Sequence, residues 1–238
     1  MAALTLSSDR IVETAVRLSS RIKERFPESG LFAVSLELVA MGEAARKLVT
    51  SISRPIYPVR VAVALLVAII ATIVVALVAT SILNAEHFGK ASIVEVLTAI
   101  ESGTNEIVLI GLAILFLVSL ETRIKRSRTL GVIHELRSLA HVVDMHQLTK
   151  DPGYYRGSMA ATESSPRRDL SLPEMIRYLE YCSELLSITS KIAALYAQEM
   201  HDRVVLSAVS DVENLVTGLS RNVWQKIDIA SEIHYGGR

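Results

Sequence analysis

The chain has 238 residues, half of them hydrophobic and 5% aromatic, with 25 basic and 25 acidic side chains and a formal net charge of zero. Its only cysteine, Cys182, excludes an intramolecular disulfide and fits a reducing compartment. The neutral total hides a segregation: residues 1 to 60 carry about +3, 84 to 106 about −3, 121 to 128 about +3 and 129 to 238 about −3, so positive charge sits beside the apolar runs. Length and composition suit a membrane unit plus one compact helical domain.

The N-terminal stretch has no signal-peptide pattern, and Asp9 and Glu13 argue against a transit peptide. Ile11, Ala15, Leu18, Ile22 and Phe26 recur at steps of three and four, the spacing of an amphipathic helix. Arg10, Arg17, Arg21, Lys23 and Arg25 fall largely on the other surface, which either touches anionic lipid or is simply solvated. Pro27, Glu28, Ser29 and Gly30 break that helix, and a second one is predicted from Leu31 to Ser53, ended by Pro55 and Pro58. Tyr57 suits the headgroup level of a bilayer. Residues 1–58 are assigned to these N-terminal cytoplasmic helices.

Residues 59–126 are read as a transmembrane hairpin. Val61 to Leu83 is 23 residues without a charge, interrupted only by Thr72, Thr80 and Ser81. About 20 apolar residues in a helix cross a hydrocarbon core of roughly 30 Å. A second run, Ile107 to Leu120, is bounded by Glu106 and Glu121. Its own rise is only about 21 Å, so it either crosses with Thr122, Ile124 and Lys125 extending it or forms an interfacial or re-entrant piece. Charge favours two crossings. Arg46, Lys47, Arg54 and Arg60 precede the first run and Arg123, Lys125, Arg126 and Arg128 follow the second, while the connection carries Glu86, Glu95, Glu101 and Glu106. The positive-inside rule then faces both termini to the cytoplasm, consistent with a bacterial inner membrane, and the loop 84–106 outward. In that loop Ile93, Val94, Val96, Leu97 and Ile100 form either a short helix from about Lys90 to Glu101 or the first turns of a longer one. Neither run contains an ionisable group, which argues against a monomeric transporter. Ala64, Ala68, Thr72, Ala76 and Thr80 form a small-residue stripe suited to close helix packing, or merely reflect an alanine-rich composition.

Residues 127–149 continue the helical pattern beyond the second run. On that helix His134, His141 and Asp144 share one face, an arrangement that offers a divalent metal two imidazoles and a carboxylate, although it matches no established ligand spacing. His146 lies about 140° away at 100° per residue. The stretch Asp144 to Pro152 is dense in bonding side chains, and Asp144, His146, Gln147, Lys150 and Asp151 are taken as the interaction surface. Residues 150–172 form a mobile linker rich in Pro, Gly and Ser; its Tyr154, Tyr155 and Arg156 suit lipid headgroups or an ordinary loop, and its Arg167 and Arg168 are too few for nucleic acid.

Residues 173–238 read as an antiparallel helical hairpin. Ser171, Pro173 and Glu174 announce a capped start, and Met175, Leu179, Cys182, Leu186, Thr189, Ala193 and Tyr196 line one side. His201 and Asp202 make the turn. Val205, Ala208, Val212, Leu215, Leu219, Val223, Lys226 and Ala230 form the returning stripe, widened by Trp224 and Ile227. Glu180, Glu184, Glu199 and Glu213 are expected to be solvated. Two helices cannot cover their own apolar faces, so they must pack on the N-terminal helices, on the helix after the second run, or on another copy.

The chain carries no phosphate-binding glycine loop, nucleophile elbow, kinase signature or dinucleotide fingerprint. The reading is an all-α integral membrane protein with a two-helix transmembrane hairpin and a helical cytoplasmic domain formed by N- and C-terminal helices. Its expected role is a non-enzymatic interaction or scaffold protein that self-associates and binds a cytoplasmic protein. The rivals are a homo-oligomeric ion channel lined by Thr72, Thr80, Ser81 or Ser119, and a metal-dependent enzyme or sensor built on His134, His141 and Asp144.

Overall fold

The computed structural model describes residues 5–52, 54–83, 93–156, 162–165 and 169–236, with the backbone alone at 51–52, 77–78, 81–83, 93–100 and 156. Ser81, the loop residues 84–92, the apolar face at 93–100 and the Arg167–Arg168 pair, all used above, lie outside the described side chains. The fold is all-helical, with no strand among the described residues: α1 is Ser8–Arg25, α2 Gly30–Ile52, α3 Tyr57–Leu83, α4 Ile93–Leu148, α5 Leu172–Glu199 and α6 Arg203–Gly236. A short 3-10 turn occupies Pro152–Arg156 within the stretch read as a linker.

Spacing and caps explain these elements. Ser7 caps α1, its hydroxyl accepting from the Arg10 amide, and the helix buries Ile11, Val12, Ala15, Leu18, Ser19 and Ile22, close to the expected stripe. At the start of α5, Glu174 Oε2 accepts from the Ser171 amide at 2.8 Å and from its hydroxyl at 2.6 Å, a capping box. Asp202 does more than turn the chain. Its Oδ1 accepts from the Val204 and Val205 amides at 3.0 and 3.3 Å and so caps α6, while its Oδ2 takes Arg126 Nε at 2.9 Å. Burial acts to raise the Asp202 pKa, yet Arg126 and the two amides outweigh it and hold the carboxyl below its ordinary value.

Pro58 opens a helix instead of ending one. It sits in the first turn of α3, where its missing amide hydrogen is harmless. The second apolar run has no break within it either, because α4 continues for 56 residues from Ile93 to Leu148. The residues from Ile93 are thus the opening of a long helix, the second of the two readings given above.

The chain divides into two compact units, Met1–Ser53 with Arg126–Arg238, and Arg54–Lys125. The first is a helical bundle of α1, α2, α5, α6 and the C-terminal part of α4. Its core joins Leu18 and Ile22 of α1, Leu31 and Leu38 of α2, Leu136 and Val143 of α4, Leu179, Leu186 and Tyr196 of α5, and Val205 and Val223 of α6. Helices α1 and α2 run antiparallel, with a buried bond from Ser35 Oγ to Ser19 Oγ at 2.9 Å. At Gly42 an added Cβ would lie 3.3 Å from Val12 and 3.5 Å from Ile192, so glycine is what lets α2 lie tightly against α1 and α5. Trp224 corrects the expected stripe of α6: it is 53% exposed, while Ile227 is buried.

The second unit shows the reverse pattern. Leu65 is 60% exposed and Ile107 73%, and Leu66, Ile69, Ile73, Val75, Leu112, Leu115 and Phe116 are exposed with them. Glu121 ties this unit together. Its Oε2 accepts from Arg60 Nε at 2.7 Å, and its Oε1 accepts from the Ile56 amide at 3.1 Å and lies 2.9 Å from Lys125 Nζ. Lys125 Nζ also donates to the Arg54 carbonyl at 2.8 Å.

Candidate functional site

One end of the bundle gathers the α1–α2 turn, the C-terminus of α4 and the start of α5. A cleft of about 570 Å³ opens there, lined by Phe26, Glu28, Gly30, His146, Thr149, Lys150, Asp169, Leu170 and Tyr178 among others. The breaker Pro27–Gly30 forms one wall. Phe26, the C-cap of α1, packs edge-on against Tyr178 at 5.4 Å between centroids and gives the cleft an aromatic floor. Lys150 Nζ stands 5.2 Å from the Tyr178 ring centre, within cation–π range.

The imidazole of His146 meets Gly30 through its Cε1 edge, and a Cβ at position 30 would run into that atom, so a larger residue there would push the ring aside. Burial lowers the His146 pKa and the neighbouring Lys150 lowers it further. The ring is therefore mainly neutral near pH 7, with one nitrogen able to donate and the other to accept.

Beneath the cleft, the end of α4 is closed by charge. The Gln147 carbonyl accepts from the Lys150 amide at 3.0 Å and from Lys226 Nζ at 2.8 Å, a cation on a helix C-terminus. Spacing puts Lys226 on the inward stripe of α6; it is half-buried, and its head donates to the carbonyl. Burial lowers its pKa, partly offset by Asp151, Asp144 and Cys182. The Gln147 side chain is 2% exposed and donates from Nε2 to Asp144 Oδ1 at 2.6 Å. Asp151 Oδ1 accepts from the Gly153 amide at 2.8 Å and starts the 3-10 turn. The five residues taken as an interaction surface thus divide: His146 and Lys150 line the cleft, Asp144 and Gln147 bond each other, and Asp151 shapes the following turn.

The other candidate sites fare differently. His134 and His141 are exposed on α4 while Asp144 is engaged by Gln147, and among the described residues no three His, Cys, Asp or Glu side chains are placed to hold one metal ion. Cys182 is fully buried and burial pushes its thiol up to about 12, which leaves it unreactive as a nucleophile. Thr72 Oγ1 donates to the Ala68 carbonyl at 2.8 Å within its own helix. Ala68, Thr72, Ala76 and Thr80 are exposed, and Ala64 lines a groove between α3 and α4.

Two acidic residues expected to be solvated are paired instead. Glu180 meets Arg177 one turn away on α5 at 2.6 Å, and Glu184 holds Arg21 of α1 with two bonds at 2.8 and 3.1 Å. Arg21, Glu24, Arg25, Arg177 and Tyr181 line a second cleft of about 580 Å³, but these pairs neutralise much of its positive charge. Separations of 163 residues leave no local trace in a sequence. No protein family, curated protein or solved structure matches this chain.

Proposed function

We propose that this chain is a non-enzymatic, membrane-anchored helical protein. Its two apolar helices would cross the bilayer as a hairpin, with both termini in the cytoplasm, and its bundle would bind a cytoplasmic protein and further copies of itself. The observation that carries the reading is the exposed apolar surface of α3 and of α4 around residues 107–118. Leaving such side chains in water costs about 1.5–3 kcal/mol each, whereas hydrocarbon accepts them and a helix pairs its own amides.

The bonds of Glu121 to residues 56 and 60 support a hairpin, since they join the start of α3 to α4 beyond the second apolar run. Arg54, Arg60, Arg123 and Lys125 cluster at the same ends of the apolar runs, which by the positive-inside rule face the cytoplasm. The cleft at His146 and Lys150 is the surface proposed for the protein partner, because it combines an aromatic floor with both signs of charge.

The test is membrane extraction and tagging in cells. The expected result is a chain released only by detergent, with tags at both ends shielded from the outside and a mass in detergent above that of one chain. A tag reachable from outside would overturn the topology, and single chains at every concentration would overturn self-association.

A further inference from the structure

We infer that the groove between α3 and α4 holds an anionic glycerophospholipid, with an acyl chain along its apolar wall and the phosphate on Arg60. The inference rests on the membrane reading above. The groove measures about 390 Å³ and is lined by Val59, Val63, Ala64 and Val67 of α3 and Leu117 and Val118 of α4, with Arg60 and Glu121 at one end. Its wall is aliphatic and its mouth is ionic. A hydrocarbon tail attached to a charged head has that same division.

Charge at the mouth selects the head. Glu121 is already met by Arg60, by Lys125 and by the Ile56 amide, so its negative charge is answered from within the unit. Two cations against one carboxylate leave a net positive charge. Arg60 gives its Nε to Glu121, and the side chain is 62% exposed, so a guanidinium held in this way suits the paired oxygens of a phosphate. Ala64 supplies the space, since its side chain ends at the methyl group where its neighbours Val63 and Val67 are branched. A zwitterionic lipid brings an added cation to this mouth and is disfavoured.

The test uses the full chain in nanodiscs of phosphatidylglycerol and phosphatidylcholine in equal parts, with retained lipid counted by native mass spectrometry. Wild type is expected to retain phosphatidylglycerol in preference. Arg60→Gln is expected to lower that preference about fivefold, the weight of one basic side chain near a lipid surface. Arg60→Lys, which keeps the charge but loses the planar fork, should restore only part of it, and Ala64→Leu should reduce retention of both lipids by filling the groove. Circular dichroism confirms that each variant keeps its helix content, and Ala64→Leu does not touch the Glu121 bonds. The inference is overturned if Arg60→Gln retains phosphatidylglycerol as wild type does. It is also overturned if Ala64→Leu leaves lipid unchanged while abolishing crosslinked dimers, which would seat a second copy in the groove. A chain that needs detergent yet holds the two lipids equally sinks this site alone; a chain soluble without amphiphile sinks the membrane reading with it.

Discussion

The two units are made from the same aliphatic side chains put to opposite uses. In the bundle Leu179 and Leu186 are fully buried, whereas Leu65 and Leu112 of the second unit stand exposed on their helices. Helical order alone does not distinguish them; the periodicity of their polar residues does. Where Arg, Glu and Lys recur every three or four positions, one stripe is left to bury against neighbours, and where they are absent a helix has no side suited to water. The lesson is that the two units differ in how polar residues are spaced along their helices and not in helix content.

The sharpest way to break this comparison is to shorten one leucine in each unit. Leu186→Ala is expected to destabilise the bundle by about 2–5 kcal/mol through lost burial and a residual cavity, read by denaturant unfolding. Leu65→Ala is expected to leave that transition unmoved, and an equal effect at both positions would erase the distinction. Next in size is Glu121→Ala, which removes the acceptor for Arg60, Lys125 and the Ile56 amide; the second unit should lose about 1.5–3 kcal/mol in detergent-mediated unfolding. The bundle should keep its own transition.

Lys226→Met comes third. It keeps the stem against the core but removes the cation from the Gln147 carbonyl, at an expected cost of about 1–2 kcal/mol to the bundle. Smallest is the pH effect at His146. Its folded pKa lies below the ordinary 6.5 because burial, and then Lys150, oppose the charged form. Between the folded value and 6.5 the unfolded chain binds the proton more readily, so stability falls as pH drops through that window and is fully present above it. Glu28, Lys150 and Asp169 line the same cleft, so the comparison is with His146→Gln, which should flatten the slope measured between pH 7 and 5.

Much of the architecture was legible in the sequence because helices write their burial locally. Ile11, Ala15, Leu18 and Ile22 mark one stripe and Leu179, Cys182 and Leu186 another, and the Ser171–Glu174 box marks a start. Pro58 misled because proline both stops a helix and suits its first turn, and only the residues after it decide between the two. Less of the candidate site was legible. His146 and Lys150 stood out in a dense stretch, but the opposite wall, from Phe26 to Gly30, and Tyr178 reach them through the fold of the bundle. Lys226 looked apolar by position, since the spacing of a residue records where its stem lies and says nothing of where its head goes. Arg21 with Glu184, and Arg60 with Glu121, belong to the same class: pairs created by packing, with no shared local pattern.

Cys182 has a practical consequence. A lone thiol, sealed in the bundle core and pushed up to about 12, resists alkylating reagents while the helices stay closed. Once they part, it becomes an ordinary thiol. Its rate of modification in the folded protein therefore counts the openings of the bundle, and the protein carries its own clock of unfolding without any engineered probe.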